Sequence, residues 1–478
     1  MKRRRNIMLL LILFLLLFGY AILQSRSKKR DVKEAEAMLD FQYIRRGEKR
    51  NDYEVNRRHS HIGSEKDKTS VFTNNHKENV IASGVNVKQN FAERKEQEVK
   101  TITTLKDNDP DKLYKDRRDR LLEVCSRQQF DLKSPPGVLS RNIIDRRQKF
   151  AYCTIQKTAS TFWKRVFRIV IGESKASSPF DPSVLALQHF DHLKDIPIDL
   201  RENFMKESLT FLFIRDPYSR LFSGYVDKLF SPNYVFWKGY GKFGIEQVRT
   251  NRSRNDLTCG HDLSFREFVK TVIYTEKHNT HRDGHFTAQY EHCDPCKYKY
   301  DVIGKLETLA QDTFYLLKKM GKFTLMKSVM NRFHENTLED TIRDQVDMLF
   351  RFRSYYPLCK VTFFEAQKLM WKKFQIRGIL SKHSKYPVTK EESERITNRD
   401  FTRMLYLGRG DAVDRNISKK NKEEAVLEAF STVDKEDMEL LSELFRPDCE
   451  LFGYDCRPAK LFKIKEVIKP WYFDSNTA

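Results

Sequence analysis

The chain has 478 residues, of which 88 are Lys or Arg and 66 are Asp or Glu, giving a formal charge of +22. That length excludes a chain too small to bury a full-sized core. The charge points to a polyanionic partner: nucleic acid, an anionic membrane, an acidic glycan or a nucleotide cofactor. A well-solvated basic protein with no such partner is the alternative until the compartment is known.

The sequence MKRRRN leads into an uncharged run over residues 7–23. As a helix rising ~1.5 Å per residue this run reaches roughly 25 Å, enough for a thin bilayer. A cleaved signal peptide would have a shorter apolar core and a small-x-small cleavage site, so an uncleaved anchor is expected. Lys2, Arg3, Arg4 and Arg5, with the α-amino charge, favour a cytoplasmic N-terminus over the competing group Arg26, Lys28, Lys29 and Arg30. The expected order is a cytoplasmic tail at 1–6, a transmembrane signal-anchor at 7–23 and the rest of the chain in a lumen. Residues 24–120 are charged and polar, with too little apolar surface to offset their ordering entropy, and read as a stem. Dense apolar and aromatic clusters define a working domain over 121–478. No internal repeat is evident. The charged stretch 380–425, containing SKKNKEE, reads as a surface insertion or a mobile loop.

Two strand–turn–helix units stand out. Residues 150–155 suit a buried strand, and from Thr161 a helix follows. Phe162, Trp163, Val166, Phe167, Val170 and Ile171 form its apolar face, opposite Lys164, Arg165 and Arg168. Residues 209–214 form a continuous apolar run of parallel-strand type, which Pro217 ends. Residues 219–230 then read as a helix with Leu221, Phe222, Tyr225 and Leu229 inward. Two such units imply an α/β fold, a central parallel sheet flanked by helices, with ligands at the carboxyl ends of the strands.

The turns carry the chemistry. At 156–161, QKTAST, backbone N–H groups and the positive end of a helix dipole converge. Ser160 and Thr161 add hydroxyls, Lys157 adds a mobile charge, and Trp163 is a flat surface or simply core. The alternative is a helix capped by Ser160 or Thr161, with Lys157 solvated. The loop lacks the G-x-x-x-x-G-K-[ST] pattern, which weighs against an ATPase or kinase. In the second turn Arg215 ends the strand, and Arg220 and Ser223 lie one turn apart on the helix. A guanidinium and a hydroxyl so placed suit a phosphate monoester. The alternative is an Arg215–Asp216 surface pair with Ser223 as a small packing residue. Together the turns describe a nucleotide with phosphates at two separated places.

Eight cysteines, none in the anchor, and the sequons at Asn251 and Asn416 agree with an oxidising lumen and with glycosylation there. Cys293/Cys296 and Cys449/Cys456 are the close candidates for pairing. Cys293-Asp-Pro-Cys296 as half a zinc site lacks a second C-x-x-C, so no metal is expected. A lumenal body also argues against nucleic acid.

Those two turns resemble the 5′-phosphosulfate and 3′-phosphate loops of the Golgi carbohydrate sulfotransferases, in the branch with the chondroitin and dermatan 4-O-sulfotransferases and the HNK-1 sulfotransferase. QKTASTFWK is similar to the family's P-K-x-x-C-[ST]-x-W-K at Lys157, Thr161, Trp163 and Lys164. RDPYSRLFSGY fits R-[DE]-P-[FY]-x-R-L-x-S-[AG]-Y in full. FREFVKTVI, HCDPCKYKYDVIGKLETL and ELFGY resemble later blocks in the same order. The resemblance covers about residues 145–330 and 435–456, and leaves an insertion at about 330–430.

It implies a P-loop-NTPase-like sulfotransferase fold and a single-pass type II Golgi membrane protein with its catalytic domain in the lumen. It also implies 3′-phosphoadenosine 5′-phosphosulfate as co-substrate, with no metal, and an anionic glycan or glycoprotein acceptor of chondroitin or dermatan type. The donor's 5′-phosphosulfate loop would be Gln156, Lys157, Thr158, Ala159, Ser160, Thr161, Phe162 and Trp163, and the 3′-phosphate group Arg215, Arg220 and Ser223. Two departures matter. Gln156 stands for the usual proline, so the turn loses a fixed φ. Ser160 stands for the usual cysteine, leaving Cys153 to pair elsewhere or stay free. Lys157 would stabilise the leaving phosphate, and the general base would be His285, in a block resembling the family's H-W with Phe286 for Trp, or His189. A glycan-binding protein that kept the fold and lost transfer is the alternative function.

Overall fold

The computed structural model describes residues 110–127, 137–186, 189–252 and 258–474. The expected anchor at 7–23 lies outside them, as does most of the stem. Among the described residues no helix is long and apolar enough to cross a membrane.

A five-stranded sheet lies at the centre, in the order β3-β1-β2-β4-β5. Its strands are β1 (Asn142–Asp145), β2 (Phe150–Cys153), β3 (Asp191–His192), β4 (Leu209–Ile214) and β5 (Val302–Lys305). The apolar run LTFLFI makes β4 the middle of the parallel part, as a strand covered on both faces requires. It pairs with β2 through Tyr152↔Phe211 and with β5 through Leu212↔Ile303. The sheet is mixed rather than wholly parallel, because β1 runs antiparallel to both β2 and β3. Residues 146–149, with Lys149 at φ 55°, are too few for a crossover, so β1 and β2 form a hairpin.

The helices that matter for the site are α1 (Pro110–Arg127), α2 (Ser160–Val170), α3 (Pro217–Tyr225), α4 (Phe265–Lys277), α5 (Leu309–Lys319), α6 (Phe333–Arg351), α7 (Phe363–Ile376), α8 (Arg415–Ser431) and α9 (Lys435–Phe452). On one side of the sheet α2 buries Trp163, Val166, Phe167 and Val170. Trp163 lies against Phe213, with ring centroids 4.8 Å apart, and meets Phe211 edge-on. Arg165 and Arg168 are buried rather than solvated. Arg165 reaches Asp340 of α6 at 2.6 Å and Arg168 reaches Glu173, just past α2, at 3.0 Å, so one of these arginines ties α2 to another helix and the other to the chain leaving it. The expected helix over 219–230 begins at Pro217 and changes at Val226 to a π-helical turn, Val226–Phe230. Its four inward residues are all buried.

Folded structure starts inside the stretch assigned to the stem. Tyr114 and Leu121, two turns apart on α1, are buried, and Tyr114 and Arg117 both bond Asp312 of α5, at 2.8 and 2.9 Å. Two apolar residues among many charges are enough to seat a helix, and average composition hides them. The charged stretch 380–425 is likewise not a mobile loop. It holds the helix Asn398–Leu407 and most of α8, and α8 buries Ala425, Ala429 and Phe430. The stripe is mostly alanine, so the lysines dominate the sequence pattern.

All eight cysteines are paired: Cys125–Cys296, Cys153–Cys293, Cys259–Cys359 and Cys449–Cys456. The expected Cys449/Cys456 bond is present, and the expected Cys293/Cys296 bond is not. Asp294, left-handed at φ 43°, separates two short helices, sending Cys293 to the end of β2 and Cys296 to α1.

Candidate active site

Strands β2 and β4 are parallel neighbours with Cys153 beside Leu212. Their following turns therefore leave the sheet side by side, about 5 Å apart at the strand ends. In the first turn Lys157 and Ala159 are left-handed, at φ 69° and 63°. The chain reverses there and enters α2 with Ala159 as N-cap and no side-chain cap. The alternative in which Ser160 or Thr161 caps the helix is therefore not what the fold does. The first-turn amides are left to face an anion, and alternating backbone hands form a concave N–H surface. Thr158 is fully buried and donates to the Ile155 carbonyl at 2.9 Å, so its side chain closes the turn. Ser160 is half-buried and Thr161 exposed. Gln156 accepts from Arg141 at 2.9 Å, a side-chain tie in place of a proline's fixed φ. Trp163, expected at the loop, is wholly inside the core, and Phe162 packs on Phe180 and Phe333.

The second turn is built differently. Asp216 caps α3, accepting from the Ser219 amide at 2.7 Å, with Pro217 in the first turn. Arg215 is half-buried, and its backbone N–H and C=O both bond the Gln289 amide, at 2.9 and 2.8 Å. Gln289 is held in turn by Asp448 of α9; burial pushes that carboxyl up to about 6 against the bonds it accepts. Among the described residues no hydrogen bond or ion pair takes the Arg215 guanidinium. Burial lowers it to about 10, with Glu307 and Asp216 opposing. Ser223 sits half-buried on α3.

Arg220 is the third residue of the expected 3′-phosphate group. It is 2% exposed, and its three nitrogens donate to the carbonyls of Gln156, Thr287 and Gly284 at 2.9, 2.6 and 2.8 Å. These three bonds use three of the guanidinium's five N–H groups. They clamp the first turn to the segment 284–287.

That segment carries His285. Its Nδ1 lies 2.6 Å from Asp283 Oδ1, which also accepts the His285 amide at 2.8 Å. The carboxylate thereby favours a proton on Nδ1 and leaves Nε2 as the basic nitrogen. Burial pushes His285 below its ordinary value; Asp283 opposes, and Lys228 and Lys157 add to the fall. Its place depends on Gly224, where a Cβ would come within 3.0 Å of the Phe286 ring and 3.2 Å of the His285 carbonyl. The rival base, His189, is exposed and precedes β3. Because β1 is antiparallel to both neighbours, β3 runs parallel to β2, and the start of β3 lies at the end of the sheet away from both turns. Position before a strand could not reveal that.

Around Lys157 lies a cation cluster that motif reading missed. Lys157 Nζ is 2.8 Å from Asp227 Oδ2, and Lys373 Nζ of α7 is 2.9 Å from Asp227 Oδ1. Lys228 approaches the same carboxylate at 3.5 Å. Burial lowers Lys157 to about 8, Asp227 opposes, and Lys228 and Arg377 add to the fall. Burial works against the Asp227 charge, yet Lys157, Lys373 and Lys228 hold its carboxyl well below the ordinary range. Arg377 follows Lys373 by one helical turn and acts on both Lys157 and Arg215. Partial burial, Arg377 and Arg215 push down Lys422 of α8 as well. Positive charge thus runs between the two turns, with Asp227 as counter-charge at Lys157 and Glu307 and Asp216 at Arg215. The basic pair in WKKFQIRG, four residues apart, was the available signal. Among the described residues, no group of three or more His, Cys, Asp or Glu is arranged to hold a metal ion.

Residues 140–351 match a family model described as the sulfotransferase family. Carbohydrate sulfotransferase 11 of Rattus norvegicus is 32% identical over 221 residues, covering 44% of this chain and 62% of that protein. Carbohydrate sulfotransferase 9 of Homo sapiens is 31% identical over 190 residues, covering 38% and 41%. Carbohydrate sulfotransferase 12 of Xenopus laevis is 28% identical over 268 residues, covering 48% and 63%. The chain spans about three-fifths or less of these relatives. No solved structure matches. Lys157, Arg215, Asp227 and His285 fall inside the family segment; Lys373, Arg377 and Lys422 fall outside it.

Proposed function

We propose that this protein transfers a sulfuryl group from 3′-phosphoadenosine 5′-phosphosulfate to a glycan hydroxyl, in the Golgi lumen, from a type II anchor formed by residues 7–23. The observation that carries this reading is the pair of adjacent turns in a sulfotransferase-family segment. One has an open helix end beside Lys157, the other has Arg215, and Arg377 acts on both. The fit to a doubly anionic nucleotide rests on that open helix end and on the excess of cations over Asp227. Lys157, with the amides of Ala159, Ser160 and Thr161, would hold the 5′-phosphosulfate. Arg215 and Ser223 would hold the 3′-phosphate.

His285 Nε2 takes the acceptor hydroxyl's proton as that oxygen bonds to sulfur and the bond from sulfur to the phosphate oxygen breaks. Asp283 stabilises the resulting imidazolium. Lys157 meets the charge growing on the departing phosphate oxygen, where a fixed cation acts most strongly in the transition state. Exposed Asn251 and Asn416 and four disulfides agree with a lumenal, glycosylated body. The acceptor is an anionic glycan of chondroitin or dermatan type.

The test is incubation of the purified protein with sulfur-labelled donor and a panel of desulfated glycans. Transfer to one class of hydroxyl is expected. Glycan binding without transfer would replace this reading by a glycan-binding protein on the same fold. His285→Ala should lower turnover by roughly 10²–10⁴-fold. In the wild type the rate should rise with pH through a midpoint below 6.5, since a base works unprotonated and His285 sits below its ordinary value. Asp283→Asn should move that limb lower still.

A further inference from the structure

Lys157 is not a lone lysine. Its ammonium lies on one oxygen of Asp227, and the wholly buried ammonium of Lys373 lies on the other. Lys373 also donates to Gln345 of α6, so two helices outside the strand–turn motif fix this carboxylate. Asp227 itself sits at the start of the π-helical turn after α3, where the widened backbone offsets it from the regular helical face. An anion ligand that must stay charged while buried needs a counter-charge nearby, or it loses its proton. One that must release that counter-charge to a phosphate needs something else to keep the carboxylate satisfied.

We infer that Asp227, held by Lys373, is a positioning residue that keeps Lys157 aimed and charged until an anion arrives, and that Lys373 then retains the carboxylate. This deepens the proposed use of Lys157 and rests on that reading of the site. Asp227 competes with the incoming phosphate for Lys157 while maintaining its proton. The groups facing Lys157 are Asp227 and Lys228 from the π-helical turn, Lys373 from α7 and Arg377 just past its end, and His285, backed by Asp283, from the 283–287 segment. Removing Asp227, the carboxylate in contact with the ammonium, leaves the neighbouring cations with no counter-charge at that distance, so the titration of Lys157 must move down. Removing Lys373 leaves Asp227 more fully to Lys157, so its titration must move up.

The experiment is calorimetric binding of adenosine 3′,5′-bisphosphate to the intact protein between pH 6 and 9, which needs no turnover. In the wild type, affinity should fall as pH rises through about 8, where Lys157 loses its proton. Asp227→Asn should bind the bisphosphate more tightly than wild type at pH 6, where its competitor is gone, and more weakly at pH 8. Its midpoint should fall by about one unit or more, the usual effect of an opposite charge at this range. Lys373→Met should bind more weakly at pH 7 and carry a midpoint above the wild type's. Asp227→Glu should restore the wild-type midpoint.

Equal weakening at every pH in both variants would mean a merely structural role and overturn the inference. Midpoints moving in the same direction would also overturn it. If Asp227→Asn fails to fold, the direction of the Lys373→Met shift decides alone. Variants that show these shifts in a protein whose wild type transfers no sulfate would sink the proposed reaction and leave this inference standing. A wild type that transfers sulfate, with variants that lack the shifts, would do the reverse.

Discussion

The two strand–turn–helix units share a plan and end their strands side by side, yet they treat the following helix in opposite ways. After β2 the chain turns through left-handed Lys157 and Ala159 and starts α2 without a side-chain cap. After β4, Asp216 caps α3 and Pro217 sets its first turn. The first unit keeps its backbone donors for a ligand. The second has already used its helix end, so an anion there must be held by side chains such as Arg215. One fold thus offers a backbone-and-lysine site beside an arginine site, and the two should fail differently when altered.

Lys157→Ala should have the largest effect, a fall in turnover of roughly 10²–10³-fold with a smaller change in donor affinity, because the charge it meets grows in the transition state. Near-normal turnover in that variant would remove the distinction between the units. Arg215→Ala should raise the KM for the donor about 10-fold or more and lower turnover less, since it would bind a group that does not change during reaction. A purely turnover-linked defect would place Arg215 at the chemistry instead. The smallest effect separates the helix ends themselves. Asp216→Ala should lower thermal stability by about 1 kcal/mol, the usual cost of a lost cap, whereas α2 has no cap to lose.

Much of this was legible, and for identifiable reasons. Residues 209–214 matched β4 residue for residue, because a strand covered on both faces writes an uninterrupted apolar run. The turn at 156–161 was recognisable because apolar strand and amphipathic helix periods change over six polar residues. Placement across chain distance was not legible. Arg220 and Ser223 looked equivalent on one helix, and only the fold shows that Arg220 donates to three carbonyls. His189 looked able to reach a strand end until the antiparallel β1 put it at the opposite end of the sheet. Asp227 and Lys373 are 146 residues apart, and nothing local in either stretch announces the other.

The bond between Cys125 and Cys296 has a mechanical consequence. Tension applied to the chain ahead of Pro110 would unwind α1 from its first turn, but the unwinding would stop at Cys125. There the load would pass to the 293–298 turn, which is itself fastened to β2 through Cys293. A tug from upstream would thus enter the sheet at β2, through two disulfides and the short 293–296 segment.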